Sequence, residues 1–270
     1  MRHSISPVFQ NAAFHYLGLD IVYLPLEVKP ENLPVAVQSL RAFSFVGVNV
    51  TIPHKKNIVA LLDEVDEEVE LLGVANTVLN KDDCLKGFIT DGKGFLRSLR
   101  EEGGFDPAGK KVLVFGAGGT AYALTASLIR AGTSTLVICN RTRERAEELK
   151  KHLKGNFPHC HLEVIGFDRR FDPGVYKEVT LIVNTTACGM KDEDGILVPP
   201  EVLPESVFVY DVIYNRQTEL VQAALRKNLA CLNGLSMLIY QGAVSFEIWT
   251  GLPAPIEVMK RSVLAQRKLL

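Results

Sequence analysis

Lys111-Val112-Leu113-Val114-Phe115-Gly116-Ala117-Gly118-Gly119-Thr120-Ala121 is the stretch on which the fold turns. Lys111 to Phe115 reads as a buried strand, and Tyr122 to Ala131 as the helix that follows. Between them, Gly116-x-Gly118-x-x-Ala121 has the spacing of a dinucleotide-phosphate turn in its alanine form. Gly116 permits the sharp turn, Gly118 lets the backbone approach a pyrophosphate, and Ala121 keeps helix and strand close. Ala117, Gly119 and Thr120 complete the turn, and the helix start offers unpaired N–H groups to the anion. A purely structural glycine turn is the alternative. The clean strand before it and the clean helix after it favour phosphate binding.

The next strand, Thr135 to Cys139, selects the nucleotide. An NAD site wants an acid at the tip of that strand for the ribose 2'-hydroxyl. Here the tip reads Asn140-Arg141-Thr142-Arg143-Glu144-Arg145, with three arginines and no acid at the first position. A guanidinium suits a 2'-phosphate, so the sequence points to NADP. Arg141 is the better placed, Arg145 is open, and Arg143 reads as the solvated start of a helix. Further strands are expected at Leu162–Ile165, Leu181–Asn184, Val207–Ile213 and Leu229–Leu232, with helices between them. That series suits an open parallel sheet. The turn-rich run Glu101 to Gly109 marks the boundary before it.

Bulk properties narrow the function classes. The chain has 270 residues, enough for one large domain or two ordinary ones. Thirty basic and 31 acidic residues leave a formal charge of -1, which gives no footprint for nucleic acid. Five scattered cysteines without a CxxC suit reduced thiols in a cytoplasmic compartment. His159-Cys160-His161 reads as alternation on a strand, so no metal is expected. No apolar run reaches the ~18 residues of a membrane span, and Met1 is followed at once by polar residues, unlike a signal peptide.

The first hundred residues alternate helix and strand. Expected elements are helix 8–17, strand 21–26, helix 32–43, strand 47–52, a helix from Pro53 to about Leu72, short strands near 75–79 and 85–89, and a helix from Gly92 to Glu102. Two helices, 236–249 and 255–268, end the chain. Ser4, Ser6, Thr51, Lys55, Asn76-Thr77, Thr90-Asp91 and Gln241 stand out against apolar surroundings. Each has a plain reading as a cap or a solvated side chain, and Asp91 in particular reads as a cap for the helix after it. Lys55 is the odd one: a lysine placed at a helix start meets the positive end of the helix dipole, which disfavours its ammonium form. Carbonyl reduction by a nicotinamide needs such a proton donor, and Asp91 is the carboxylate available to hold it.

These residues together resemble the shikimate dehydrogenase family. The motifs are Ser4-x-Ser6-Pro7, Asn49-Val-Thr51-Ile-Pro53-His-Lys55, Ala75-Asn76-Thr77-Val78, Thr90-Asp91-Gly92-x-Gly94, the glycine turn, Asn140-Arg141-Thr142, Val183-Asn184-Thr185-Thr186, Tyr210-Asp211-Val212-Ile213-Tyr214 and Gly234-x-x-Met237-Leu238-x-x-Gln241. The resemblance implies an α/β protein of two α/β domains. A substrate-binding domain would comprise residues 1–103 plus 236–270, the C-terminal helices returning to it, and an NADP-binding Rossmann domain residues 104–235, with the active site between them. It implies NADPH-dependent reduction of 3-dehydroshikimate to shikimate in the cytoplasm, in aromatic amino acid biosynthesis, by a monomer or homodimer. Lys55 and Asp91 would be the catalytic pair. Ser4, Ser6 and Tyr214 would hold the substrate carboxylate, and Thr51, Asn76 and Gln241, with Asp91, its hydroxyls. Gly116, Ala117, Gly118, Gly119, Thr120, Asn140, Arg141, Thr142 and Arg145 would take the cofactor's phosphates and adenosine end, and Thr185, Val212 and Gly234 its nicotinamide end. The alternatives are an NAD-using quinate/shikimate dehydrogenase and a non-catalytic NADP-binding sensor. Departures from the family pattern are the absence of a strand before the paired serines, Ile89 beside Thr90-Asp91, and His54 beside Lys55.

Overall fold

The computed structural model describes residues 4–267. The chain forms two compact units. One contains the residues up to Gly94 together with those from Ile239 onward, and the other is Phe95–Leu238. The changeovers fall at Gly94/Phe95 and Leu238/Ile239, where the sequence placed them at 103/104 and 235/236.

The first unit holds α1 (Ser6–Tyr16), α2 (Leu33–Ala42), β1 (Gly47–Asn49), β2 (Glu64–Val65), α3 (Glu67–Leu72), β3 (Thr77–Lys81) and β4 (Cys84–Phe88). Its sheet has the order β1-β3-β4-β2, with β2 parallel to β4 and the other pairs antiparallel. Asp82 and Asp83 both take positive φ (52° and 63°) at the β3–β4 hairpin, the backbone that a two-residue turn between twisted strands requires. Asp66 caps α3 by accepting from the Val69 N–H at 2.9 Å, and Gly73 closes that helix in the left-handed region. The C-terminal α9 (Ile256–Arg267) packs along α1.

Two expectations for this unit are corrected. The helix expected from Pro53 to Leu72 does not form. Residues 52–58 are consecutive turns, followed by a single 3-10 turn at Val59–Leu61, β2 and then α3. The apolar spacing is helical, but Asp63 breaks it: its carboxylate accepts from Leu85 N at 2.7 Å and from Arg41 at 2.7 Å, and Glu64–Val65 then pairs with β4. The strand expected at 21–26 also has no ladder. Tyr23 has its N–H and C=O bound instead by the Asn11 side chain, at 2.7 and 2.9 Å. Val22, Leu24 and Leu26 stay exposed along it.

The second unit follows the βαβ series. Its strands are β5 (Lys111–Phe115), β6 (Thr135–Asn140), β7 (His161–Gly166), β8 (Val179–Asn184), β9 (Phe208–Asp211) and β10 (Cys231–Asn233). They form a six-stranded sheet of order β10-β9-β8-β5-β6-β7, every pair parallel. Read from the other edge this is the doubly wound dinucleotide order, with its reversal between β5 and β8. The central strands are buried along almost all of their length, as a sheet covered by helices on both faces demands. α5 (Gly119–Arg130), α6 (Arg143–Asn156) and α7 (Glu219–Arg226) belong to this unit. Leu113, Phe115, Val137, Ile182, Val209 and Leu220 share one buried cluster. α4 (Asp91–Glu101) and α8 (Gly234–Thr250) each contribute residues to both units.

Candidate active site

In the first unit the polar residues converge. The Lys55 ammonium lies 2.6 Å from Asp91 Oδ2, with Asp91 at the buried start of α4 and Lys55 half-buried in the turn run. The Asn76 amide donates to Asp91 Oδ1 at 3.0 Å, to Thr90 Oγ1 at 3.0 Å and to Gln241 Oε1 at 3.3 Å. Its carbonyl oxygen accepts the Thr90 N–H at 2.8 Å. Both oxygens of Asp91 are thus occupied by Lys55 and Asn76 and not by the N–H groups of its own helix, which sets aside the cap reading. The Lys55 carbonyl accepts from Ala75 N at 2.8 Å, which ties the lysine's backbone to the strand entry that carries Asn76.

Lys55 lies in a run of turns and not at a helix start, so the expected helix dipole is absent there. Its distinguishing feature is the close carboxylate. His54 beside it is buried, with Nε2 donating to the Val28 carbonyl at 2.8 Å. Ile89 is buried, 2% exposed, and serves the core.

The sequence reading names Asn49 and Thr77 but misses the layer they form with Tyr23 and Ser245 behind this group. Asn49 donates to Thr77 Oγ1 at 3.0 Å and to Ser245 Oγ at 2.9 Å, and accepts from the Tyr23 hydroxyl at 3.0 Å. Thr77 and Ser245 hydroxyls are 2.8 Å apart. Burial pushes the Tyr23 phenol up to about 12, against the opposing hydrogen bond with Ser6. A polar chain therefore runs from Ser6 through Tyr23 and Asn49 to the Thr77, Thr90 and Gln241 cluster. One signal was available: Ser245 follows Gln241 by four residues, one helical turn away on the same face. Ser4 and Thr51 are exposed, and neither makes a side-chain bond within the cluster.

In the second unit, Gly116 has φ +111°, and a Cβ there would fall on the Thr185 hydroxyl. Only glycine fits. Over Gly118 and Gly119 a Cβ would meet nothing within 4 Å, and the first turn of α5 carries no acid. An anion of pyrophosphate size thus finds open backbone and no opposing charge. Ala117 is buried and Thr120 half-buried in the same turn. At the tip of β6 the Asn140 amide donates to the Thr142 carbonyl at 2.7 Å, folding that loop. Arg141 and Arg145 are exposed and have no ion-pair partner among the described residues, whereas Arg143 lies 3.7 Å from Glu147. The donor set fits NADP: a glycine cradle, and unengaged guanidinium groups at the strand tip. Thr185, Val212 and Tyr214 follow β8 and β9, and Gly234 follows β10.

A doubly wound nucleotide unit joined to a unit with a lysine–carboxylate pair defines a nicotinamide-dependent oxidoreductase of the CH–OH class. Residues 1–78 match the shikimate dehydrogenase substrate binding domain, residues 100–166 the shikimate/quinate 5-dehydrogenase family, and residues 234–264 the shikimate 5'-dehydrogenase C-terminal domain. A shikimate dehydrogenase (NADP(+)) from Moorella thermoacetica is 45% identical over 266 residues, covering 97% of this chain and 88% of that protein. A shikimate dehydrogenase solved in complex with NADP+ superposes with a TM-score of 0.89 at 38% identity, covering 98% of this chain and 92% of the other. The Thermus thermophilus enzyme, solved with NADP(H) and shikimate, gives 0.86 at 34% identity, over 98% and 95%. The chain belongs to the shikimate dehydrogenase family. No helix among the described residues is long and apolar enough to cross a membrane.

Proposed function

We propose that the chain catalyses the reversible, NADPH-dependent reduction of 3-dehydroshikimate to shikimate, with Lys55 and Asp91 as its acid–base pair. The 2.6 Å contact between them, braced by Asn76, carries the reading. Bound NADPH supplies a hydride to the ring carbonyl. Lys55 donates the proton to the oxygen as it becomes a hydroxyl, and recovers it in the reverse direction. Asp91 fixes the ammonium in place and accepts from a neighbouring ring hydroxyl. Asn76 and Gln241 present amide groups to the same hydroxyls, and Thr51 presents a third polar group from the turn before Lys55. Ser4 and Ser6, with Tyr214, hold the carboxylate. The glycine turn takes the pyrophosphate, Asn140, Arg141, Thr142 and Arg145 the adenosine 2'-phosphate end, and Thr185, Val212 and Gly234 the nicotinamide end. The balanced charge and the family of relatives support a small polar substrate.

The test is a rate matrix of shikimate and quinate against NADP and NAD. Shikimate with NADP is expected to dominate. Nucleotide binding without turnover of either substrate would sink the catalytic reading, and a preference for quinate with NAD would move the substrate assignment.

A further inference from the structure

β8 and β9 are ladder neighbours, and the last residues they pair are Asn184 and Asp211. Both side chains are fully buried. The Asn184 amide donates to Asp211 Oδ1 at 3.1 Å and to the Cys188 carbonyl at 3.2 Å. Its own oxygen accepts the Thr186 N–H at 2.9 Å and the Thr186 hydroxyl at 2.7 Å. Asp211 further accepts the Ile213 N–H at 3.0 Å and the Thr218 hydroxyl at 2.6 Å. Every group bonded to this carboxylate is a neutral donor, and no cation pairs with it among the described residues. Burial raises its pKa even though all three donors pull the other way. Such a carboxylate is costly to bury, and packing alone does not call for it.

Its bonds connect two loops. Thr185 places both its N–H and its hydroxyl on the Phe115 carbonyl, at 2.8 and 2.7 Å, directly before the Gly116 turn. The Val212 N–H donates to the Asn184 carbonyl at 3.0 Å. The Gly234 N–H donates to the Ile213 carbonyl at 3.1 Å, and Gly234 has no room for a side chain against the Val212 carbonyl. One bonded series therefore runs from the phosphate turn through Thr185, Asn184 and Asp211 to Val212 and Gly234.

We propose that Asp211, through Asn184 and Thr218, is a positioning residue that sets the loops after β8 and β9 to receive the nicotinamide half of the cofactor, touching no ligand itself. The proposal rests on the assignment of Thr185, Val212 and Gly234 to that half. It separates the cofactor into two parts with different dependence on one buried carboxylate. The adenosine end meets the Gly116 turn and the tip of β6, which Asp211 does not bond. The nicotinamide end meets the loops that it does.

The experiment compares Asp211→Asn, Thr218→Val and Thr218→Ser with wild type, measuring dissociation constants for NADP+ and for 2',5'-ADP by calorimetry, and kcat and KM separately. Loss of a buried bond to a charged acceptor corresponds to a roughly 10-fold weakening. Asp211→Asn and Thr218→Val are expected to weaken NADP+ by that order while leaving 2',5'-ADP unchanged, and Thr218→Ser to behave as wild type. Thr218→Val carries the test if Asp211→Asn does not fold. Equal weakening of both ligands, or of neither, overturns the positioning role alone. A wild type that binds neither nucleotide overturns the cofactor assignment as well.

Discussion

Lys55 Nζ and Asn76 Nδ2 hold opposite oxygens of one carboxylate, Asp91, at 2.6 and 3.0 Å. The carboxylate is thus oriented from both sides, and the ammonium is directed by a partner that cannot rotate away. Removing the ammonium should remove the proton donor and leave the hydroxyl-binding groups. Lys55→Ala is expected to lower kcat by about 10²–10⁴-fold, the usual worth of general acid–base catalysis, with little change in shikimate affinity. A matching collapse in affinity, read by titration calorimetry, would make Lys55 a binding group instead.

Asp91→Asn should impair turnover with little loss of stability, because Asp91 does not cap its own helix. The amide cannot hold the ammonium as an ion pair. Thermal melts are the check: a fall of many degrees would return Asp91 to a structural role.

Arg141 is exposed at the tip of β6, where an acid would stand in an NAD site, and has no ion-pair partner among the described residues. Arg141→Ala is expected to raise the KM for NADP several-fold and hardly move that for NAD. Equal effects on the two nucleotides would show that the guanidinium does not read the 2'-phosphate.

Gly94 lies against the backbone N and Cα of Gln241, with no space for a Cβ. Gly94→Ala forces α4 and α8 apart at that point. The expected cost is about 1–3 kcal/mol of stability, from overpacking. Gln241 moves with the backbone, so the KM for shikimate should rise more than that for NADP. An unshifted melting temperature would mean the contact yields without strain.

Burial holds the Asp211 pKa above the ordinary carboxylate value in the folded protein. The folded state therefore keeps that proton to a higher pH than the unfolded chain. Its contribution to stability is complete below the unfolded pKa and is lost as pH rises through the folded one. Asp211→Asn cannot titrate, so its melting temperature relative to wild type should climb as pH rises from the ordinary carboxylate pKa upward. A difference that stays flat or falls over that range would show that burial does not govern Asp211.

The nucleotide unit was readable because its signals are local. Gly116 and Gly118 sit between an apolar strand and a helix within a dozen residues, and the neighbouring strand β8 is apolar along most of its length. The substrate unit was less legible because its decisive contacts are distant. Asn49 and Ser245 are 196 residues apart, and only the helical spacing of Ser245 from Gln241 hints at the contact. The spacing of Ile58, Val59, Leu61 and Leu62 is helical, yet Asp63 is taken by Leu85 and Arg41, and pairing with β4 overrides the propensity. Tyr23 had strand character by pattern, and the Asn11 side chain supplied the bonds a neighbouring strand would have made. That Lys55 and Asp91 meet was legible from residue type, whereas the helix start expected for Lys55 is a run of turns.

The substrate unit draws on both ends of the polypeptide: Asn76 bonds Gln241 across 165 positions, and Trp249 Nε1 bonds the Val78 carbonyl across 171. During synthesis the lysine and its acid leave the ribosome early, while the helix that completes their surroundings comes near the finish. A nascent chain thus holds Lys55 and Asp91 long before it holds the Gln241 side chain that bonds Asn76. The order of synthesis leaves the Asn76 cluster open until the residues from Ile239 onward emerge, while Phe95–Leu238 is by then complete.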